Sequence, residues 1–287
     1  MNVVVATERA FSFSCGGDAL IGILHLPAAP LPRGVVVVVG GPQYRAGSHR
    51  QFTLLARQLA ASGIPVLRFD YRGMGDSEGA MRAFDDVTED LRTALDHFFA
   101  EVPELREVVL WGLCDGATAA ALYAPQDARV AGVVLLNPWI RTEQGAARAT
   151  LRHYYSARLR EPELWRKLAD GRFDLAGSLR SILGVARNAL VPATPQASVS
   201  GGACGNALPE RLHAALASFD GRVLVLLAGA DLTAQEFADT VHAPHWRALL
   251  EGPRAECRIL AQADHTFSHR EWHEQMVDWT QAWLESW

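Results

Sequence analysis

Cysteine is scarce in this sequence, with four residues in 287, and the four are widely separated: Cys15, Cys114, Cys204 and Cys257. They form no C-x-x-C pair, so the pattern argues against a disulfide-stapled scaffold and against a structural zinc site. We therefore expect a protein of the reducing cytoplasm, in which an individual cysteine can be kept for its reactivity.

Long apolar runs and an excess of positive charge are also missing. Runs such as Val35–Val39 and Val223–Ala228 fall far short of the roughly 20 apolar residues that a membrane-spanning helix needs. The segment Met1–Phe13 lacks a basic region followed by a long apolar one, so we expect no signal peptide. A net charge of −5 argues against a protein that binds nucleic acid or an anionic membrane.

Hydrophobic residues make up 49% of the chain, as in ordinary globular proteins, and strand-like and helix-like segments alternate along it. The predicted strands are Phe11–Cys15, Ala19–Leu26, Val35–Val39, Val66–Phe69, Arg106–Trp111, Val130–Leu136, Arg222–Leu227 and Cys257–Leu260, and the predicted helices are Gln51–Ser62, Asp86–Ala100, Asp115–Tyr123 and His269–Trp287. This alternation predicts an α/β fold: a doubly wound, mostly parallel sheet with helices on both faces.

One long stretch interrupts the alternation, since residues 141–216 contain no strong strand pattern. We expect a first part of the core at residues 1–140, a helical cap insertion at 141–216 over the carboxyl edge of the sheet, and a second part of the core at 217–287. Within the insertion, Arg141–Arg172 carries eight Lys or Arg and four Asp or Glu, although the whole chain is acidic. Either a solvated amphipathic helix or a basic lid over an anionic ligand explains this charge.

The most informative segment is Val108–Ala117, an apolar strand that runs into Gly-x-Cys-x-Gly and then into a helix of small residues. This pattern is typical of a nucleophile on a tight strand-to-helix turn, where the residues two positions either side must be small. It places Cys114 above a helix N-terminus, whose positive end favours a thiolate. The alternative is a buried cysteine in a glycine-rich turn, but the strand–turn–helix context favours a nucleophile.

In these residues the chain resembles the α/β-hydrolase superfamily, with Cys114 where most members carry serine. Phe69–Ser77 matches the D-x-R-G-x-G-x-S turn of the superfamily, and Glu78 stands where a dinucleotide-binding loop would need its third glycine. Gly41–Arg50, the turn Gly112–Gly116 and Ala230–Ala234 look like the exosortase A system-associated hydrolase 1 family, whose bacterial members are encoded with exopolysaccharide and protein-sorting machinery. The resemblance implies an α/β-hydrolase fold and that genomic setting, with no cofactor.

The superfamily order of nucleophile, acid and histidine implies the other members of a catalytic triad. Asp231 follows the strand Arg222–Leu227 and is the predicted acid; its alternative role is the N-cap of a helix begun by Thr233. Asp264 is the nearest rival, but it directly precedes the candidate histidine and could hardly reach that residue's own ring.

His265 lies between the last predicted strand and the final helix, where the superfamily has its general base. His265, His269 and His273 share a four-residue spacing that could suggest a metal site. The sequence lacks the zinc motif H-E-x-x-H, and His265 should precede the helix rather than lie on it, so no metal is predicted.

An acyl intermediate needs donors for its oxyanion. We expect one to be the backbone N–H of Asp115, directly after the nucleophile. The second should come from the loop after Val35–Val39, where Pro42 has no N–H. Gln43 is therefore the first candidate, and Gly41 the second.

Four aromatic residues are the predicted substrate contacts: Trp139 at the end of a strand, and His153, Tyr154 and Tyr155 in the cap. Their alternative role is ordinary packing within the cap.

Together these residues predict a hydrolase that cleaves an ester or a thioester through a cysteine acyl-enzyme, acting on a small-molecule acyl substrate such as an acyl-CoA. Two alternatives remain open. An acyltransferase would use the same acyl-enzyme, and a catalytically silent binding protein would keep only the fold, although such relics usually lose a member of the triad.

Overall fold

The computed structural model describes residues 6–41, 43–140 and 208–287, within which eight strands form one sheet. The strands are β1 (Thr7–Cys15), β2 (Asp18–Leu26), β3 (Arg33–Val38), β4 (Val66–Phe69), β5 (Glu107–Leu113), β6 (Val130–Leu136), β7 (Arg222–Ala228) and β8 (Ala255–Leu260). The helices are α1 (Gln51–Ala61), α2 (Thr88–Glu101), α3 (Asp115–Tyr123), α4 (Leu208–Ser218), α5 (Leu232–Val241), α6 (Pro244–Leu250) and α7 (Arg270–Glu285), with 3₁₀ turns at Ser48–Arg50 and Ala124–Gln126.

The strand order is β1-β2-β4-β3-β5-β6-β7-β8. Strands β1 and β2 run antiparallel to their neighbours, and the pairs from β4 through β8 are parallel. The mostly parallel sheet predicted from the sequence is therefore confirmed. Because parallel strands share one carboxyl edge, the loops after β3, β5, β6, β7 and β8 all open there.

Strand β3 shows why the central strands are continuous apolar runs. Val36 and Val38 pack into the core on one face of the sheet, whereas Val35 and Val37 pack on the other. All four are fully buried, because helices cover both faces of a parallel sheet. This burial fixes the strand end that leads into the loop at Gly40.

Two features of the fold go beyond the sequence prediction. Strand β1 begins at Thr7 rather than at Phe11, because its first residues pair with β2 but are exposed and so carry no apolar pattern. Helix α5 was considered only as the helix begun by Thr233 in the alternative role of Asp231. Helix α6 was not predicted, although Pro244 at its start is a known helix-start signal.

Helix α4 begins inside the stretch expected to form the cap insertion, residues 141–216. It packs on α3, with Leu212 and Leu216 buried in the main core. The remainder of that stretch, residues 141–207, lies outside the described residues. In the part of the chain that is described, no helix is both long and apolar enough to cross a membrane.

Candidate active site

Cys114 joins β5 to α3 through a sharp turn. Its backbone has a φ of 59° and a ψ of −124°, a strained conformation for a residue with a side chain. Its carbonyl oxygen accepts hydrogen bonds from the N–H groups of Ala117 (3.1 Å), Thr118 (3.2 Å) and Trp139 (3.2 Å). Hydrogen bonds from α3 and from the loop after β6 therefore hold the strained residue in place. Its side chain is half-buried and lies at the N-terminus of α3.

The two glycines of the turn allow three elements to approach closely. A Cβ on Gly112 would lie 2.5 Å from the carbonyl group of Gly116, and a Cβ on Gly116 would lie 2.5 Å from the carbonyl oxygen of Val38. Real Cβ atoms do not approach other atoms so closely. The spacing of small residues around Cys114 therefore has the steric origin inferred from the sequence.

His265 lies between Asp231 and Cys114 at the carboxyl edge of the sheet. Its Nδ1 is 2.8 Å from Oδ2 of Asp231, and the Cys114 side chain lies near enough to the ring to act on its pKa. These two contacts, Asp231 first, raise the pKa of His265 to about 10, against an opposing effect of burial. The imidazolium form is therefore favoured at neutral pH, next to the Cys114 side chain.

Asp231 has both of the roles that the sequence left open for it. Besides His265, its carboxylate accepts the N–H groups of Thr233 (3.3 Å) and Ala234 (3.1 Å) and so caps α5. The rival, Asp264, accepts the N–H groups of Thr266 and Ser268 within its own turn. The structure thus brings Asp231, and not Asp264, to the imidazole.

Asn137 is a residue of this site that the sequence analysis missed. It is fully buried after β6, with a φ of 46°, a conformation that asparagine tolerates better than most residues. Its Nδ2 donates to the carbonyl oxygen of His265 at 2.9 Å, and its Oδ1 accepts the N–H of Ala228 at 2.8 Å. The side chain therefore ties the histidine loop to the end of β7. The sequence signal was a polar residue directly after an apolar strand.

The loop after β3 carries the predicted second oxyanion donor. The N–H of Gly41 donates to Oδ2 of Asp115 at 2.8 Å, and the N–H of Gln43 makes a long contact of 3.4 Å with the carbonyl oxygen of Gly40. Of the two predicted loop donors, Gly41 is thus already bonded to a carboxylate. The Asp115 N–H lies at the start of α3, next to Cys114.

A buried ion pair fixes the same loop from the side of β4. Asp70, which is fully buried, accepts the backbone N–H of Arg45 at 2.6 Å and pairs with the Arg45 guanidinium. Arg45 also reaches Asp76 at 2.6 Å, and Arg68 donates to the Arg45 carbonyl oxygen. The D-x-R-G-x-G-x-S turn therefore serves here as a support for the loop that carries Gln43.

Of the predicted substrate contacts, Trp139 lies next to the nucleophile. Its carbonyl oxygen accepts from the hydroxyl of Thr118 at 2.6 Å, and its ring packs edge-on against Phe84 at 5.3 Å. His153, Tyr154 and Tyr155 lie outside the described residues. A cleft of about 730 Å³ lies between α1 and α7 and is bordered by Thr266–Ser268, but Cys114, His265 and Trp139 do not line it.

The three histidines with a four-residue spacing have different partners. His269 packs on the ring of Trp272, and Nε2 of His273 lies 3.2 Å from the carbonyl oxygen of Gln51, whereas His265 is bound to Asp231. In the described ranges, no cluster of three or more His, Cys, Asp or Glu side chains is placed to hold a metal ion.

Comparison with known families supports the same fold. The family model described as serine aminopeptidase, S33, matches residues 30–236. Among curated proteins, a segment of 121 residues is 30% identical to the quorum-quenching protein AidA of Acinetobacter baumannii, and one of 94 residues is 34% identical to the polyketide transferase grgF of a Penicillium species. These matches cover 40% and 30% of this chain, and they span only 39% and 31% of those relatives.

Solved structures match almost the whole chain at low identity. An esterase of Pyrococcus furiosus has a TM-score of 0.66 and 15% identity, covering 98% of this chain and 92% of the esterase. The Est1E protein of Butyrivibrio proteoclasticus, solved with ferulic acid, has a TM-score of 0.61 and 14% identity, with coverages of 96% and 98%. A dienelactone hydrolase of Anabaena variabilis has a TM-score of 0.61 and 16% identity, covering 98% of both chains. The α/β-hydrolase fold expected from the sequence is confirmed.

Proposed function

Because the chain belongs to the serine aminopeptidase S33 family of α/β-hydrolases, we propose that it is an esterase or thioesterase that works through a cysteine acyl-enzyme. The observation that carries this proposal is the arrangement of Cys114, His265 and Asp231 at one edge of the sheet. The family description names a serine nucleophile and a peptidase, whereas the nucleophile position here is a cysteine. The reaction must therefore suit a thiolate.

In the first half-reaction, Sγ of Cys114 attacks the carbonyl carbon of the substrate, forming a C–S bond while the π electrons of the C=O bond move to oxygen. The tetrahedral intermediate collapses, re-forms the C=O bond and expels the alkoxide or thiolate leaving group. His265 gives that group its proton. The products are a thioester on Cys114 and a free alcohol or thiol.

In the second half-reaction, water attacks the thioester, neutral His265 takes its proton, and the carboxylic acid leaves with regeneration of the Cys114 thiolate. The cysteine contributes to the raised pKa of His265. Acylation removes that thiolate, so the pKa of the imidazole falls toward the working pH and the neutral ring, which can accept a proton from water, becomes populated. Asp231 holds Nδ1 in both steps, which keeps the other ring nitrogen directed at the reacting atoms.

The substrate class follows from the leaving group. A thiolate is a better leaving group than most amines, so a tetrahedral intermediate formed on a peptide returns to reactants more readily than one formed on an ester or thioester. The positive charge of Arg141–Arg172 supports an acyl group delivered on an anionic carrier such as coenzyme A.

A substrate panel tests the proposal. Native protein, Cys114→Ala and Cys257→Ala are assayed with p-nitrophenyl esters, acyl-CoA thioesters and amino-acid p-nitroanilides. Cys257 is a matched control because it is exposed on β8, away from the site. We expect turnover of an ester or thioester by the native protein and by Cys257→Ala, and a loss of about 10³-fold or more in Cys114→Ala. Full turnover by Cys114→Ala, or turnover of the anilides alone, would contradict it.

Alkylation provides a second test that needs no substrate. We expect Cys114 to react with iodoacetamide near neutral pH much faster than Cys15 or Cys257. Cys114 has the imidazolium of His265 beside it, whereas burial raises the pKa of the Cys15 thiol and Cys257 lies on β8, away from the site. Peptide mass spectrometry of briefly treated protein measures the three rates. Equal, slow labelling of all three would contradict the thiolate.

Acyl transfer is the second candidate, supported by the similarity to a polyketide transferase. A thioester acyl-enzyme reacts readily with alcohols and amines as well as with water. If added alcohol or amine acceptors divert most of the acyl group from the acid to a new ester or amide, transfer is the main reaction.

The loop residues Gly41–Arg50 and Ala230–Ala234 support placing the chain in the exosortase A system-associated hydrolase 1 family. On that basis we propose that the physiological substrate is an acyl ester or thioester used in the modification of exopolysaccharide. Deletion of the gene, followed by measurement of the acyl content of the exopolysaccharide, tests this; an unchanged content would contradict it.

A further inference from the structure

The side chain of Asp115 is an anion built into the nucleophile turn. Its Oδ2 accepts the N–H of Gly41 at 2.8 Å, and its Oδ1 accepts the N–H of Gly116 at 3.1 Å. Burial raises the pKa of this carboxyl, and the backbone N–H groups of Gly41, Gly116 and Asp115 itself oppose that shift. The carboxylate thus ties the loop after β3 to the first turn of α3, one residue from Cys114.

The chain leaves room for this carboxylate at Gly40. A Cβ at that position would lie 2.1 Å from Oδ1 of Asp115 and 2.4 Å from the backbone nitrogen of Gly116. Any side chain there must displace either the carboxylate or the helix. Gly40 and Asp115 therefore form one packed contact, which sets the path of the loop toward Gln43.

This contact decides which amides remain for an oxyanion. The N–H of Gly41 is bonded to a charged acceptor, whereas the N–H of Gln43 has only the long bond of 3.4 Å to Gly40. A long neutral bond is readily exchanged for a shorter one to an oxyanion. We propose that Asp115 is a positioning residue: its carboxylate holds the loop through Gly41, so that the N–H groups of Gln43 and Asp115 receive the oxyanion. The inference rests on the proposed acyl-enzyme chemistry.

The charge of Asp115 has an effect separate from its role as a tether. The carboxylate and a Cys114 thiolate both lie at the positive N-terminus of α3, and like charges at short range disfavour each other. Asp115→Asn keeps an acceptor oxygen for Gly41 but removes the charge. Asp115→Ala removes both, and Gly40→Ala keeps the charge but displaces the carboxylate. The three variants separate the two effects.

The experiment uses two readouts on the full chain: steady-state turnover of the best p-nitrophenyl ester, and alkylation of Cys114 by iodoacetamide. Alkylation needs the thiolate but forms no oxyanion. We expect Asp115→Ala and Gly40→Ala to lower kcat by about 10²-fold with KM changed less than about threefold, since an oxyanion donor contributes about 10²–10³ in kcat. Asp115→Asn should retain kcat within about tenfold of native. Asp115→Ala and Asp115→Asn should be alkylated no more slowly than the native protein.

Asp264→Asn is the matched control, because this carboxylate is bonded within its own turn and should leave kcat close to native. Native kcat in Asp115→Ala would overturn the proposal. Alkylation of Asp115→Ala that falls in parallel with its kcat would also overturn it, because that result marks general damage to the turn. Failure of the proposed nucleophile is distinguishable, since Cys114→Ala would then keep its turnover whatever the Asp115 variants do.

Discussion

The pKa of the His265 imidazole is raised by two neighbouring side chains, those of Asp231 and Cys114. Asp231 fixes Nδ1 at 2.8 Å, and this contact is the largest cause of the pKa near 10. The Cys114 side chain adds to the shift from the other side. In the proposed mechanism the proton is on the histidine before substrate arrives, whereas a serine site transfers it during attack.

Asp231→Asn should therefore slow turnover without unfolding the protein. We expect a loss between about 10-fold and 10³-fold, below the roughly 10⁴-fold loss known for such a change in a serine enzyme, because a preformed thiolate needs less help. The native pKa lies above the ordinary value, so the imidazolium is lost as pH rises through about 10, and turnover should decline there. In Asp231→Asn that decline should move to lower pH, as measured by kcat/KM against pH.

The comparison with Asp264 decides the assignment of the acid. Asp264→Asn should leave turnover close to native, since its carboxylate is bonded to Thr266 and Ser268. If instead Asp264→Asn abolished turnover and Asp231→Asn did not, Asp231 would be only the cap of α5. Its removal by alanine would then appear as a loss of about 1 kcal/mol of stability.

Asn137→Ala is expected to loosen the histidine loop. The substitution removes the bond to the His265 carbonyl oxygen and leaves the buried N–H of Ala228 without its acceptor. Such a group costs about 1–3 kcal/mol, so the free energy of unfolding should fall by that amount in urea denaturation. The turnover rate per folded molecule should also be lower than native, because the ring of His265 is less well fixed. Native stability in this variant would contradict the role assigned to Asn137.

How far the site could be predicted depends on how local each signal is. Cys114 could be predicted as the nucleophile because its turn imposes a short pattern of glycines on the residues beside it. Asn137 could not be found in that way, since its partner His265 is 128 positions away. The hydrogen bond from the N–H of Gly41 to the Asp115 side chain could not be predicted either, because the two residues are 74 positions apart in the sequence.

At the scale of the elements, the active site depends on the close approach of β5, α3 and β3. Gly112→Ala and Gly116→Ala each place a Cβ 2.5 Å from backbone atoms that cannot move aside cheaply. We expect each to lower the free energy of unfolding by about 1–3 kcal/mol, as overpacking does, and to slow alkylation of Cys114. Gly252→Ala is the control, because its nearest atom is 3.2 Å away and outside the site. Native alkylation rates in both Gly112→Ala and Gly116→Ala would contradict this account.

The element predictions succeeded where burial imposes a pattern. Strand β4 and helix α3 have the bounds predicted for them, since each is packed along its length. Strand β1 was predicted too short because Thr7–Ala10 are exposed and are held only by backbone pairing with β2. An apolar pattern in the sequence marks the buried face of an element. An edge strand that pairs through its backbone without being buried therefore has no such pattern.

For the whole molecule, the antiparallel hairpin β1–β2 is joined to the parallel sheet through a buried polar pair. Nε of Arg68 on β4 donates to Nε2 of His25 on β2 at 2.9 Å, and both residues are almost completely buried. A histidine that accepts a hydrogen bond from a guanidinium must be neutral at that nitrogen. Burial, with the charge of Arg68, lowers the pKa of His25 to about 4.

This pair predicts a specific loss of stability in acid. The folded pKa of His25, about 4, is below its ordinary value of 6.5, so the unfolded chain binds the extra proton between these two pH values. The contribution of neutral His25 is therefore complete above pH 6.5 and is lost as the pH falls toward 4. We expect this loss to be on the order of 2–3 kcal/mol, from the size of the shift.

His25→Gln keeps an acceptor for Arg68 but cannot be protonated, so it isolates the effect from that of the many carboxylates. Urea denaturation of both proteins from pH 7 to pH 4 should show the native chain losing more stability than His25→Gln. Parallel curves would show that His25 is protonated in the folded state, and the neutral pair that joins the hairpin to the sheet would then have to be abandoned.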